Sequence, residues 1–275
     1  MEVSVIIPTY NRKDFLREAL LSVYNQTYKD FEVIVYDDGS TDDTTQMIET
    51  IKKYYPIKYI SSEINRGPSF ARNRAVEAAQ GRYIAFLDSD DLWLKNKLKE
   101  QICFMKDKSI KICQTDEIWI RKGKRVNPLK KHAKPSGDVF ERSLDLCLVS
   151  PSAVMMEKEI FIKHNGFDEK LPACEDYDLW LRISAKEKIY LLEKKLVIKR
   201  GGHKDQLSTA IPYLDRYRVY SMSKLIENSC LDNDKLLTVK KKLSEKCSII
   251  IQGLKKKAKH EEAYYYEQLL ERYNS

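Results

Sequence analysis

The chain has 275 residues, 43% of them hydrophobic and 33% charged, with a net charge of +8. That length holds one large domain with an appendage, or two domains, and the apolar content is enough for a real core. The charge suits work near anionic membranes or phosphorylated substrates, but dedicated nucleic-acid binding needs a concentrated basic stripe or a known motif, and neither is evident.

Residues 3–8 (VSVIIP) read as a buried strand, after which Phe15, Leu16, Ala19, Leu20 and Val23 recur at helical spacing. Residues 31–38 (FEVIVYDD) are a second strand, and Ser40 with Asp43 resembles a capping box opening a helix to about Tyr54. A third strand is predicted at 57–61, a helix across about 69–80 with Gly81 as its C-cap, and a fourth strand at 82–88. Strands and helices alternating in this way predict an α/β protein with a parallel, doubly wound sheet and a ligand crevice at the carboxyl ends of the strands.

Past residue 109 the alternation loosens. Residues 110–120 read as a strand, 121–137 as a basic loop punctuated by Pro and Gly, and 150–156 as a strand followed by a short helix. A helix opens at Glu175, with Tyr177, Trp180, Leu181 and Ser184 on one face, and 196–208 is a strand running into a polar loop. From about Ile211 the pattern is helical to the end. There Leu236, Val239, Leu243, Cys247, Ile250 and Leu254 form an apolar stripe, with Lys240–Lys242 and Lys255–Lys257 mainly off it. The expected division is an α/β domain over 1–210 and a helical appendage over 211–275.

The six cysteines, Cys103, Cys113, Cys147, Cys174, Cys230 and Cys247, form no CxxC pair, so reduced and mostly buried thiols in a cytoplasmic protein are expected. The start, MEVSVIIPTY, has no basic segment ahead of its short apolar run, and no apolar stretch reaches the ~20 residues that span a bilayer. The expectation is a soluble protein, peripheral to the inner face of a membrane at most.

Three polar stretches fall at the carboxyl ends of predicted strands: PTYN (8–11), DDGS (37–40) and LDSDD (87–91). Asp88, Asp90 and Asp91 repel one another, an arrangement that selection for stability alone would avoid. A metal ion or a basic partner is expected beside them.

Taken together, VSVIIPTYNR, FEVIVYDDGSTDDT, NRGPSFARNRA, YIAFLDSDD, GFDE and EDYDLWLR resemble, in order, the motifs of the family 2 glycosyltransferases, inverting enzymes of the GT-A fold. The resemblance covers residues 1 to about 208 and offers nothing for the tail. It implies a GT-A (Rossmann-like), mostly parallel sheet flanked by helices. It also implies a nucleotide-sugar donor, a UDP-sugar being the commonest case, and a glycan or lipid-linked acceptor. Such a donor is a dianion at its diphosphate, and a hard divalent cation, Mn2+ or Mg2+, stabilises the leaving group as charge develops.

By the same resemblance Asp90 ligates the metal directly, and Asp88 binds through water or through the donor's ribose or sugar, with Ser89 between them in the donor-binding element. Asp38 matches the carboxylate that meets the nucleobase, while Asp37 is free to turn into the fold. Pro8, Thr9 and Tyr10 line base and ribose. Arg72 contacts the nucleotide, with Arg74 packed or exposed. Asp176 matches the general base that direct displacement with inversion needs, and Glu175 contacts acceptor or sugar hydroxyls. His203, after the Gly201–Gly202 hinge, is a further metal ligand, with an exposed loop histidine as the plain alternative and Lys204 or Arg200 near the diphosphate as a parallel one.

Two competing readings remain open. A nucleotidyltransferase would show a Gly-rich basic loop after the first strand, where this chain has PTYNRKD. A catalytically inactive binding module would lack a carboxylate, and all three acidic sites are present. For the apolar stripe of the tail, three destinations are open: the chain's own domain, a second subunit in a homodimer, or a membrane.

Overall fold

The structure is a computed structural model describing residues 1–203, 211–228 and 231–274. It opens with β1 (Val3–Thr9), α1 (Lys13–Tyr24), β2 (Phe31–Asp37), α2 (Thr44–Lys52), β3 (Lys58–Ser61), α3 (Pro68–Glu77) and β4 (Tyr83–Phe86). β1 pairs with β2 and β4, and β2 with β3, all in parallel. Successive side chains on a strand point to opposite faces, and both faces are covered here. Val3, Val5 and Ile7 pack with Leu16, Leu20 and Val23 of α1, while Ile6 meets Ile34, Ala75 and Phe86 on the other side. Burial on both faces is why these strands read as unbroken apolar runs.

The second half contains β5 (Leu92–Trp93), α4 (Lys97–Asp107), β6 (Ile112–Arg121), β7 (Lys124–Val126), α5 (Phe140–Asp145), β8 (Val154–Glu157), α6 (Lys158–Lys163), α7 (Glu175–Ser184) and β9 (Tyr190–Gly201). The sheet order is β3-β2-β1-β4-β8-β6-β9-β5, with β7 on β6. β8 is antiparallel to both β4 and β6, so β6 and its parallel neighbour β9 run in the same sense as β1–β4. The carboxyl ends of β1, β2, β4, β6 and β9 therefore share one edge. This is the mostly parallel sheet flanked by helices that the sequence predicts.

Three local expectations are corrected. Ser40 does not cap α2, because its Oγ accepts from the Asn11 amide at 2.8 Å; Asp42 instead accepts from Thr44 N at 3.1 Å. Gly81 is not the cap of α3, which ends at Glu77 with Ala78 in the C-cap position. Its role is close approach: a Cβ there would lie 2.6 Å from the Ser4 nitrogen. The segment 121–137 is not all loop, since β7 folds back on β6 as a hairpin. The described cysteines are free thiols, with Cys103 exposed; Cys230 lies outside the described residues.

The tail forms α8 (Asp215–Asn228), α9 (Asn233–Lys255) and α10 (His260–Asn274). Val239, Leu243, Cys247, Ile251 and Leu254 of α9 are buried against α8 and α10 and against Phe140, Leu144, Tyr177 and Leu181 of α5 and α7. Each large side chain so buried is worth about 2 kcal/mol, so the stripe's destination is its own chain. The pattern is shifted from the expected one: Leu236 and Ile250 are only half-buried and Ile251 lies inside. Tyr213 and Tyr220 are exposed and do not line this core. Of the three destinations left open, packing within the chain is the one the stripe takes. No described helix is long and apolar enough to cross a membrane.

Candidate active site

β4 ends at Phe86, and the Asp91 amide bonds back to the Asp88 carbonyl at 2.9 Å, turning the chain tightly. This gathers Asp88, Asp90 and Asp91, with one carboxylate oxygen of each within 4.8 Å of the others. Cations answer the charge. Asp88 Oδ1 accepts from Arg72 at 2.7 Å, and Asp90 Oδ2 accepts from Arg12 at 3.0 Å and stands 3.2 Å from His203 Nε2. Asp91 is buried and accepts from the Arg200 amide at 2.9 Å. Burial would raise the pKa of Asp88, but the charge and hydrogen bond of Arg72 hold it below the usual value. Burial and repulsion by Asp90 push Asp91 well above it.

Arg72 is the centre of the constellation. It is buried, and its second amino group reaches Glu175 Oε1 at 3.0 Å. Burial disfavours its charge, yet Asp88 and Glu175 together raise its pKa. Glu175 is raised by burial and by its neighbour Asp176, against the pull of Arg72. Asp176 is half-buried in the first turn of α7 and accepts from the Tyr177 amide at 2.7 Å. The preceding Cys174 holds a left-handed conformation, φ 62°, which turns the chain into that helix.

On the β1–β2 side Thr9 is buried with no hydrogen-bond partner for its Oγ1 among the described residues, Pro8 is half-buried and Tyr10 exposed. Asp37 turns inward to Ser40 N and the Tyr59 hydroxyl, at 2.9 and 2.6 Å. Asp38 is also buried, and its Oδ2 accepts from the amides of Arg66 and Gly67 at 2.9 and 2.6 Å. It therefore anchors the loop that starts α3, and its Oδ1 has only a long contact to Ser62 at 3.4 Å. Arg74 points away, paired with Glu77 and Glu169 at 2.8 and 3.2 Å. Ser89 is buried beneath the turn. Lys204 lies outside the described residues.

The structure thus brings Asp88, Asp90, Arg72, Glu175 and His203 together, and it adds residues that were not predicted. Arg12 is one, three residues beyond β1 on the same edge. Lys199 is another: its Nζ donates to Ser150 Oγ at 3.1 Å, and Glu117, Asp91, Asp88 and Asp176 raise its pKa against burial. No local signal marked Lys199, because its place follows from the pairing of Trp119 with Lys199 between β6 and β9.

A parallel half-sheet continued through an antiparallel strand, with an acidic cluster where the halves meet, defines the GT-A class of fold. The chain belongs to glycosyl transferase family 2, whose sequence profile matches residues 4–164. A glycosyltransferase of Rickettsia conorii is 39% identical over 196 residues, 71% of this chain but 32% of the relative. The match thus spans about a third of the length of that relative. The Escherichia coli enzyme WfaP, a UDP-Glc:α-D-GlcNAc-diphosphoundecaprenol β-1,3-glucosyltransferase, is 37% identical over 67% of this chain and 70% of its own. Among solved structures, residues 1–349 of Staphylococcus aureus TarS in complex with UDP-GlcNAc superpose with a TM-score of 0.76 at 25% identity, covering 90% of this chain and 73% of that one. A mannosyltransferase of Pyrobaculum calidifontis, in complex with GDP-Man and Mn2+, has the same fold, with a TM-score of 0.65 at 16% identity over 99% of this chain and 84% of that one.

Proposed function

We propose that this chain transfers a glycosyl group, with inversion, from a UDP-sugar to a hydroxyl of a glycan or lipid-linked glycan. The observation that carries the reading is the span of Arg72 from Asp88 to Glu175. It ties the acidic turn after β4 to the helix that presents Asp176. The names of WfaP and of the TarS complex support UDP-sugar as the donor class, and that of WfaP supports a diphosphate-linked lipid acceptor.

The donor set fits a hard divalent cation. Three carboxylates converge within 4.8 Å, with an imidazole nitrogen 3.2 Å from Asp90, and oxygen-rich sites of this kind suit Mg2+ or Mn2+. Asp90, Asp88 and His203 would hold it, and once bound it would neutralise charge on the leaving diphosphate. The protein's own groups do the rest. Pro8, Thr9, Tyr10 and Asp38 flank the nucleoside, and Ser89 and Asp88 meet its ribose side. Arg72 keeps Asp88 ionised and aligns it with Glu175, and Glu175 orients a sugar or acceptor hydroxyl. The Asp176 carboxylate takes the proton from the acceptor oxygen as that oxygen attacks the anomeric carbon.

The test is a transfer and donor-hydrolysis screen across nucleotide sugars with Mn2+ or Mg2+, with the product's anomeric configuration read by NMR. An inverted product from a UDP-sugar is expected. A retained anomer, or no turnover of any nucleotide sugar, would overturn the reading.

A further inference from the structure

Between Arg121 and Gly137 the sequence holds seven Lys or Arg residues and no Asp or Glu. β6 and β7 form a tight hairpin there. Arg121 pairs with Lys124, and the two turn residues Lys122 and Gly123 both have positive φ, 49° and 74°, the combination that suits a two-residue hairpin turn. The turn is followed by a single 3-10 turn at Lys130–His132. Arg121, Lys122, Lys124, Arg125, Lys130 and Lys131 are exposed. Among the described residues none of the six takes part in an ion pair; only Lys134, folded inward, does so, with Glu117 at 3.0 Å.

The tail, also rich in lysine, behaves differently. Lys242 pairs with Asp145 and Glu245, Lys246 with Asp215, Lys255 with Glu267 and Lys259 with Glu262. Much of its charge is answered within the chain. The hairpin is a concentrated positive surface with no ion-pair partner among the described residues for its six exposed cations, and Leu129, 65% exposed, sits in the middle of it.

Its position gives that charge a purpose. Arg121 lies opposite Gly201 at the end of β9, and the Lys122 amide bonds to the Gly201 carbonyl at 3.1 Å. Two residues further on, His203 meets Asp90. The turn of the hairpin is therefore on the rim of the candidate active site.

We infer that the β6–β7 hairpin and the turn after it, residues 121–131, dock the protein on an anionic phospholipid surface. The lysines and arginines would meet lipid phosphates, and Leu129 would enter the headgroup–acyl boundary. A single-stranded nucleic acid fits less well, because exposed aromatic rings for base stacking are missing from residues 121–131. The inference rests on the proposed function only for its purpose, which is to bring the crevice rim to a lipid-linked acceptor; the charge argument stands without it.

The test uses the full chain and vesicles of phosphatidylcholine with or without phosphatidylglycerol. Salt-sensitive sedimentation with the anionic vesicles alone is expected. Removing one basic contact should weaken binding about fivefold, so the quadruple variant Lys124→Gln, Arg125→Gln, Lys130→Gln, Lys131→Gln should lose at least ~10²-fold. The pairs 124/125 and 130/131 changed separately should each lose part of it. A tail variant, Lys240→Gln, Lys241→Gln, Lys256→Gln, should bind as the parent does. Thermal melting and UDP affinity should be unchanged in the hairpin variants, and donor hydrolysis in solution reads the transferase activity separately. Undiminished vesicle binding by the quadruple variant, loss confined to the tail variant, equal binding to neutral vesicles, or preferential binding of single-stranded RNA would each overturn the inference.

Discussion

Arg72 joins Asp88 to Glu175, at 2.7 and 3.0 Å, across sequence separations of 16 and 103 residues. One buried guanidinium serves two carboxylates, one in the turn after β4 and one at the start of α7, and its rigid fork suits a bridging role that a flexible ammonium serves less well. Arg72→Met should cost about 3–5 kcal/mol of stability, the range for stranding a buried charge, and should weaken UDP binding as well. Arg72→Lys should recover part of the stability. Denaturant melts and calorimetry measure both, and a Met variant as stable as the parent would show the bridge to be idle.

Asp176→Asn should leave UDP affinity nearly unchanged and cut turnover by at least ~10²-fold, the scale for losing a general base. If turnover barely moves, Glu175 becomes the residue to replace next.

Asp90→Ala should remove most of the gain in UDP affinity that Mn2+ confers, because it takes away a carboxylate from the group of three. Calorimetry with and without the ion decides it. Equal affinity in both conditions for the parent protein would remove the metal from the mechanism.

Lys97 is a fully buried lysine, held by Gln101 Oε1 at 2.6 Å and by the Trp93 ring at 4.0 Å, with no carboxylate in contact with it among the described residues. Burial pushes its pKa down to about 7 from 10.5. From about pH 7 to 10.5 the unfolded chain therefore holds more protons than the folded one, and stability rises with pH across that window. Glu117 gives a slope of the same sign in acid. Lys134 and Lys199 hold its pKa at about 2 against burial, so its contribution is lost as pH falls from 4.5 toward 2. Urea melts from pH 7 to 9 should show stability increasing for the parent and a flatter trend for Lys97→Met. Identical slopes would mean that Lys97 is charged inside the fold.

Truncation after residue 210 should lower solubility and thermal stability, because Phe140, Leu144, Tyr177 and Leu181 lose their cover. Donor-site residues are all retained, but α7 carries Glu175 and Asp176, so turnover should fall further than UDP affinity. A truncated protein as soluble and as heat-stable as the full chain would show that the packing of α9 on α5 and α7 contributes little.

What the sequence determined by itself is local. Apolar runs such as VSVIIP and YIAF become strands because both their faces are buried. The polar residues that follow each run, PTYN, DDGS and DSDD, then fall at strand ends without further information. The helix opening at Glu175 was legible for the same reason, since its period is written in its own residues. The tertiary structure decided who faces whom. Ser40 went to Asn11 rather than to its own helix, and Asp38 went to the amides before α3. Gly81 is set by the backbone of β1. Lys199 and His203 reach the acidic turn only because β9 lies parallel to β6. Periodicity records which face of an element is buried, but not which distant element buries it. That choice depends on strand order and on contacts closed over a hundred residues, as between Arg72 and Glu175.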